Sequence, residues 1–298
     1  MKKLLALSLA LVMALGLAAC GTPSEPAEDE TKDNADASAT TEIKGLEDGV
    51  LTVGMECAYA PYNWMQSDDS NDAVPIVNNA GSYANGYDVM IAKKICEANG
   101  WELEVYATDW DSLIPALQAG TIDAVIAGQS MTEERMQQVD MAGPYFYASI
   151  VCVTKADSEL ASIKGISELK GTCTAQTGTV WYDTFLPQAA EKADIQIQTQ
   201  AESAPAMIMS VESGTVDFIC TDVPTAMGAV AAYPDLVMLD FTGSEDNFDA
   251  DEGDINIGIS VLKGNTGLKD AMDKLLGTMT AEDFEALMKS AIEIQPEI

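Results

Sequence analysis

The chain has 298 residues and a net charge of −33. That sign excludes nucleic acid and anionic lipid as partners of the folded surface. There is no histidine, which excludes histidine-dependent triads and histidine metal sites and leaves carboxylate and thiol chemistry open. The cysteines form no C-x-x-C pair, so zinc and dithiol redox motifs are absent as well.

The chain opens Met1-Lys2-Lys3 and runs apolar from Leu4 to Ala19. Basic residues followed by a short apolar stretch predict a secretory signal over 1–19, too short for a comfortable membrane span. Leu17-Ala18-Ala19-Cys20-Gly21 resembles the bacterial lipobox, which implies lipidation of Cys20 and a firm two-chain anchor. Residues 20–44 are rich in Pro, Ser, Thr, Ala, Asp and Glu and cannot bury enough apolar surface to order themselves. They predict a flexible acidic tether. The remaining 250 or so residues suit two lobes better than one core. No second apolar run reaches membrane length. Cys57, Cys96, Cys152, Cys173 and Cys220 are scattered, and their odd number leaves at least one thiol free in a monomer.

The first half predicts a strand at Leu51–Met55, a helix at Tyr87–Asn99 stopped by Gly100, and a strand at Glu102–Tyr106. A helix at Trp110–Ala119 stopped by Gly120 and a buried strand at Asp123–Ala127 follow. The second half repeats the order. It predicts a strand at 171–175, a helix at 180–193, a strand at 195–200, a helix at 204–213 stopped by Gly214, and a strand at 218–220. Ala119-Gly120-Thr121-Ile122-Asp123 parallels Ser213-Gly214-Thr215-Val216-Asp217. Extending that register sets Gly128 opposite Asp222, each just past the end of a central strand, where open parallel sheets bind ligands.

Arg135 is the only arginine. It sits in the first turn of a helix opened by Ser130 or Thr132, where a cation opposes the helix macrodipole. Either a neighbouring acid such as Glu133 compensates it, or an anionic ligand does, and a planar guanidinium fits a carboxylate bidentately. Ser130 reads as an N-cap that could also serve a ligand. Asp222, ahead of Val223-Pro224, reads equally as a cap. By pattern Trp110 is a core residue, and Glu56 is either a solvated strand end or a carboxylate waiting for a cation.

A family emerges from the order of several short runs. They are Gly54-Met55-Glu56-Cys57-Ala58-Tyr59-Ala60-Pro61-Tyr62, Gly86-Tyr87-Asp88-Val89, Asp109-Trp110-Asp111, and Gly128-Gln129-Ser130-Met131-Thr132-Glu133-Glu134-Arg135. Gly143-Pro144-Tyr145, Gln176-Thr177-Gly178-Thr179 and Thr221-Asp222 follow. Together they resemble the polar amino-acid-binding proteins of ABC importers, solute-binding family 3, over nearly all of residues 50–298. The likeness is to Gram-positive lipoproteins of the family and to lysine-, arginine-, ornithine- and glutamine-binding members.

The resemblance implies an α/β fold of two doubly wound lobes with a hinge and central cleft, the type II periplasmic-binding-protein fold. Lobe 1 would span 45–149 and 255–298, and lobe 2 would span 150–254. The hinges would lie near Tyr147–Val151 and Asp254–Gly258. Arg135 would grip the ligand's α-carboxylate with the Ser130 and Thr179 backbone N–H groups, while the Gly128 carbonyl and Asp222 would take the ammonium. Tyr59 and Trp110 would sandwich the side chain, and Glu56 would suit a cationic one. The protein would work at the extracellular membrane face as a lipid-anchored monomer, without cofactor or metal, handing its amino acid to an ABC permease and its ATPase. An enzyme resembling cyclohexadienyl dehydratase and an extracellular amino-acid sensor are the alternatives. The acidic insertion 66–84, Val180 beside Thr179, and the ending 280–296 depart from the family pattern.

Overall fold

The computed structural model describes residues 43–296. The signal, the Cys20 lipidation site and all but the last two residues of the tether lie outside that range. The chain runs β1 (Val50–Met55), β2 (Ala58–Tyr59), β3 (Asn63–Gln66), β4 (Val74–Pro75), β5 (Tyr83–Asn85), α1 (Tyr87–Asn99), β6 (Glu102–Ala107), α2 (Leu113–Gln118) and β7 (Ala124–Ser130). Next come α3 (Glu133–Gln138), β8 (Asp140–Tyr147), β9 (Ile150–Lys155), β10 (Lys170–Thr174), α4 (Leu186–Ala190), β11 (Asp194–Ile197), α5 (Ala204–Glu212) and β12 (Phe218–Asp222). The rest is α6 (Val223–Ala232), β13 (Leu236–Leu239), α7 (Glu252–Ile255), β14 (Asn256–Val261), α8 (Thr266–Leu276) and α9 (Ala281–Ile294).

Two five-stranded sheets share one plan, β6-β1-β7-β14-β8 and β11-β10-β12-β9-β13. In each, three parallel strands carry the βα repeat. β14 and β9 run antiparallel to these three, and β8 and β13 pair antiparallel with β14 and β9 in turn. The sequence repeat reads only the parallel three, because β9 and β14, the strands that extend each sheet beyond them, pair with partners far along the chain. β9 joins the second sheet directly after β8 leaves the first, and β14 returns to the first. The two crossings lie side by side: the Ala148 N–H donates to the Ile255 carbonyl at 2.9 Å.

Helix α1 shows why these residues fold as they do. Val89, Ile91, Ala92, Ile95 and Cys96 recur at helical spacing and are buried. Each large apolar side chain among them stabilises by about 1.5–3 kcal/mol. Gly100 ends the helix in the left-handed conformation, φ 71°. At its start, Gly86 has φ 125°, and a Cβ there would lie 2.4 Å from the Tyr62 carbonyl oxygen. Only glycine lets the chain pass that close.

The insertion after Gln66 has a structural place. It forms part of a separate antiparallel sheet, β2-β3-β5-β4. Its Ile76 is buried and bridges to Val105 on β6, so the insertion covers the outer edge of the first sheet, where unpaired backbone would otherwise invite association. The C-terminal departure is helix α9, opened by a capping box between Thr280 and Asp283. Cys57, Cys96, Cys152, Cys173 and Cys220 are free and buried. Among the described residues no helix is long and apolar enough to cross a membrane.

Candidate functional site

The site lies where the ends of β1, β7, β10 and β12 meet. After β1 the chain turns sharply through Glu56 and Cys57, the latter at φ 54°. Asn63 fixes this turn: its Oδ1 accepts from the Cys57 N–H at 2.7 Å, and its Nδ2 donates to Asp88 at 2.8 Å. Asp88 also accepts from the Tyr145 hydroxyl at 2.7 Å, and that hydroxyl accepts from the Gly128 N–H at 2.9 Å. The buried polar chain Asn63–Asp88–Tyr145–Gly128 therefore sets one wall of the cleft. Burial pushes the Asp88 carboxyl up to about 7 against these donors.

Gly128 lies inside β7 rather than beyond it, because β7 continues to Ser130. Its φ is +65°, and a Cβ would fall 2.7 Å from a Tyr59 ring carbon. Ser130 closes that strand and does not cap the helix. The cap is Thr132, whose Oγ1 accepts from the Arg135 N–H at 3.2 Å. Arg135 thus stands at the third helical position, folded back so that its guanidinium donates to the Ser130 carbonyl. The guanidinium carbon sits 5.7 Å from the Trp110 ring centroid, a cation–π distance. Among the described residues no ion pair includes Arg135, although Glu133 and Glu134 are its chain neighbours. Burial lowers its pKa to about 10, with Glu134 opposing.

The facing wall comes from the second sheet. Thr179 is buried, and its hydroxyl donates to the Gln176 carbonyl at 2.7 Å. A Cβ on Gly178 would lie 3.1 Å from the Trp110 indole nitrogen, so this loop packs directly on the first lobe. The helix expected over 180–193 is instead a π-helical turn, Trp181–Phe185, followed by the short α4. Pro187 has no N–H to complete regular helix bonding, and a π-turn often marks a functional position. The turn brings Trp181 to 6.3 Å from Tyr59, edge on.

Asp222 ends β12 and caps α6, accepting from the Thr225 N–H at 2.9 Å. Its other oxygen accepts from the Tyr62 hydroxyl at 2.9 Å and from the Tyr59 hydroxyl at 3.5 Å. Burial raises its pKa while these donors lower it. Glu56 accepts from the Gln176 Nε2 at 3.2 Å on one oxygen, and its other oxygen is buried without a partner. Burial pushes its carboxyl up to about 7, and Asp109, Asp111 and Asp88 add to the rise.

Tyr59, Trp110, Gly128, Ser130, Arg135 and Thr179 line one recess, together with Gln176, Val180 and Trp181. Glu56 and Asp222 are not on its wall. Glu56 connects to it through Gln176, and Asp222 through the Tyr59 hydroxyl. Arg135 and Asp222 therefore do not face each other openly across the recess as the family resemblance implies, because Tyr59 and Tyr62 cover the aspartate. The recess measures about 10 Å³, the room of one water. Trp110, Arg135 and Val180 also line an outer cleft of about 360 Å³. Any amino acid entering the recess must part its aromatic walls. Gln176, Tyr62 and Trp181 escape a reading of the sequence for binding groups. Trp181 looks like one apolar position of a helix, and Gln176 betrays itself only by following the first strand of its half, as Glu56 does.

Comparison with known proteins fits this geometry. Over residues 51–292 the chain matches the bacterial extracellular solute-binding proteins, family 3. A probable histidine-binding protein of Campylobacter jejuni is 29% identical over 238 residues, 80% of each chain. An arginine-binding periplasmic protein of Mannheimia haemolytica is 32% identical over 194 residues, 65% of this chain and 76% of that one. The crystal structure of an ancestral amino-acid-binding protein, described as a precursor of cyclohexadienyl dehydratase, superposes with a TM-score of 0.64. It is 27% identical, with 83% of this chain and 97% of that one covered. Two doubly wound α/β lobes, a recess walled by both, and a family match over most of the chain agree: the protein belongs to the bacterial extracellular solute-binding proteins, family 3.

Proposed function

We propose that this protein captures a free L-amino acid with a cationic side chain and presents it to an ABC permease and its ATPase. Arg135 carries this reading. It is a guanidinium on the recess wall beside the Trp110 ring, with a backbone carbonyl as its hydrogen-bond partner and no ion pair among the described residues. An incoming α-carboxylate exchanges that carbonyl for a bidentate pair, and the N–H groups of Ser130 and Thr179 complete its shell. The Gly128 carbonyl and Asp222 serve the ammonium. The 3.5 Å contact from Tyr59 to Asp222 is the weakest around that carboxylate and the one an ammonium most readily replaces. Tyr59, Trp110 and Trp181 flank the side chain, and the unpartnered oxygen of Glu56 receives its charge.

Both lobes contribute to the recess, so a ligand binds the closed arrangement selectively and shifts the population toward it. The permease reads that shape. Cys20 holds the protein at the extracellular membrane face, where it acts as a monomer with lobes of 45–149 plus 255–298 and 150–254. The relatives named above for histidine and arginine support an amino-acid ligand and a binding rather than catalytic role.

A thermal-shift screen of the twenty amino acids with ornithine and cystine tests the reading. Arginine, lysine or ornithine should give the largest stabilisation, and a response to cystine or glutamine alone would overturn the cationic class. The likeness to a dehydratase precursor favours one rival. Release of a new product from a cyclohexadienyl substrate would establish catalysis instead.

A further inference from the structure

We infer that Gln176 is a positioning residue for ligand specificity: by donating to Glu56 across the cleft, it orients the carboxylate whose free oxygen selects a cationic side chain. The inference rests on the cationic reading above and assigns a determinant that reading lacks.

The geometry is unusual in three respects. The bond joins residues 120 positions apart, one from each lobe, at 3.2 Å. Gln176 is itself only 2% exposed and lines the recess. The second Glu56 oxygen is buried with no partner, an arrangement that costs free energy unless a donor arrives. A carboxylate fixed on one oxygen by a neutral amide keeps its charge for a second donor. A lysine in place of Gln176 would cancel that charge.

The amide also suits both ionisation states of its partner. Its NH₂ donates to a carboxylate, and after a flip its carbonyl accepts from a carboxylic acid. The groups acting on Glu56 are Asp88 on α1 and Asp109 and Asp111 before α2, and all three favour the protonated acid. The Gln176 bond favours the carboxylate. Removing it should therefore delay the ionisation of Glu56 to higher pH and weaken the hold on a cation while sparing neutral ligands.

Calorimetry with L-arginine and L-glutamine between pH 5.5 and 8.5 tests this. In the native protein, the preference for arginine should rise with pH as Glu56 ionises. In Gln176→Met, which keeps the bulk of the side chain, the preference should fall about tenfold at high pH and its midpoint should move upward. Gln176→Glu, which sets two carboxyl groups together, should move the midpoint further. In a Glu56→Gln background, Gln176→Met should change nothing. Equal losses for both ligands with an unmoved midpoint would overturn the inference and leave the cationic reading standing. A native protein with no preference for arginine at any pH would overturn both.

Discussion

The Tyr62 hydroxyl donates to Asp222 at 2.9 Å, joining residues 160 positions apart and one lobe to the other. Both residues are buried. In Tyr62→Phe the carboxylate loses the Tyr62 donor and keeps Thr225 and the long Tyr59 contact. Leaving a buried acceptor short of partners costs about 1–3 kcal/mol. Urea unfolding should show that loss as a lower midpoint at unchanged slope.

Arg135→Ala removes the recess's only guanidinium. The α-carboxylate of the ligand then loses its charge partner, which costs about 3 kcal/mol or more. Calorimetry should read a dissociation constant weakened by more than about a hundredfold. The unfolding midpoint should barely move, because Arg135 makes no ion pair among the described residues.

Glu56 and Asp88 are both held near 7 by burial, against ordinary values of 4.5 and 3.8. The folded chain therefore binds more protons than the unfolded chain across that window. Stability contributed by these groups is present below about pH 4 and is lost as pH rises through 7. Thermal melting of the protein alone should show a decline from pH 5 to pH 8 that is shallower in Glu56→Gln.

Gly128→Ala meets two obstacles at once. The position has φ +65°, and the new Cβ would press on Tyr59 at 2.7 Å. The backbone alone costs roughly 1–2 kcal/mol. The displaced Tyr59 should weaken ligand binding as well, so both melting temperature and affinity should fall. Gly100→Ala, with no neighbour within 4 Å of its Cβ, should lower the melting temperature only.

Much of this was legible in the residues themselves. The βα repeat marked by Gly120 and Gly214 located the strand ends where the recess forms, and the isolated arginine marked its charged end. What stayed hidden is non-local. The antiparallel strands β9 and β14 pair with partners far along the chain, so no local period announces them. Asp222 looked open to ligand because its sequence neighbours say nothing of Tyr59 and Tyr62, which reach it from the opposite lobe. Trp181 turns inward through a π-turn that helical spacing does not reveal.

The bond from Ala148 to Ile255 ties the two passages between the lobes into one ribbon. A swing of either passage would carry its neighbour with it, so any parting of the halves would turn about a common axis. On closing, Tyr59, Gln176 and Arg135 would then regain one and the same mutual placement.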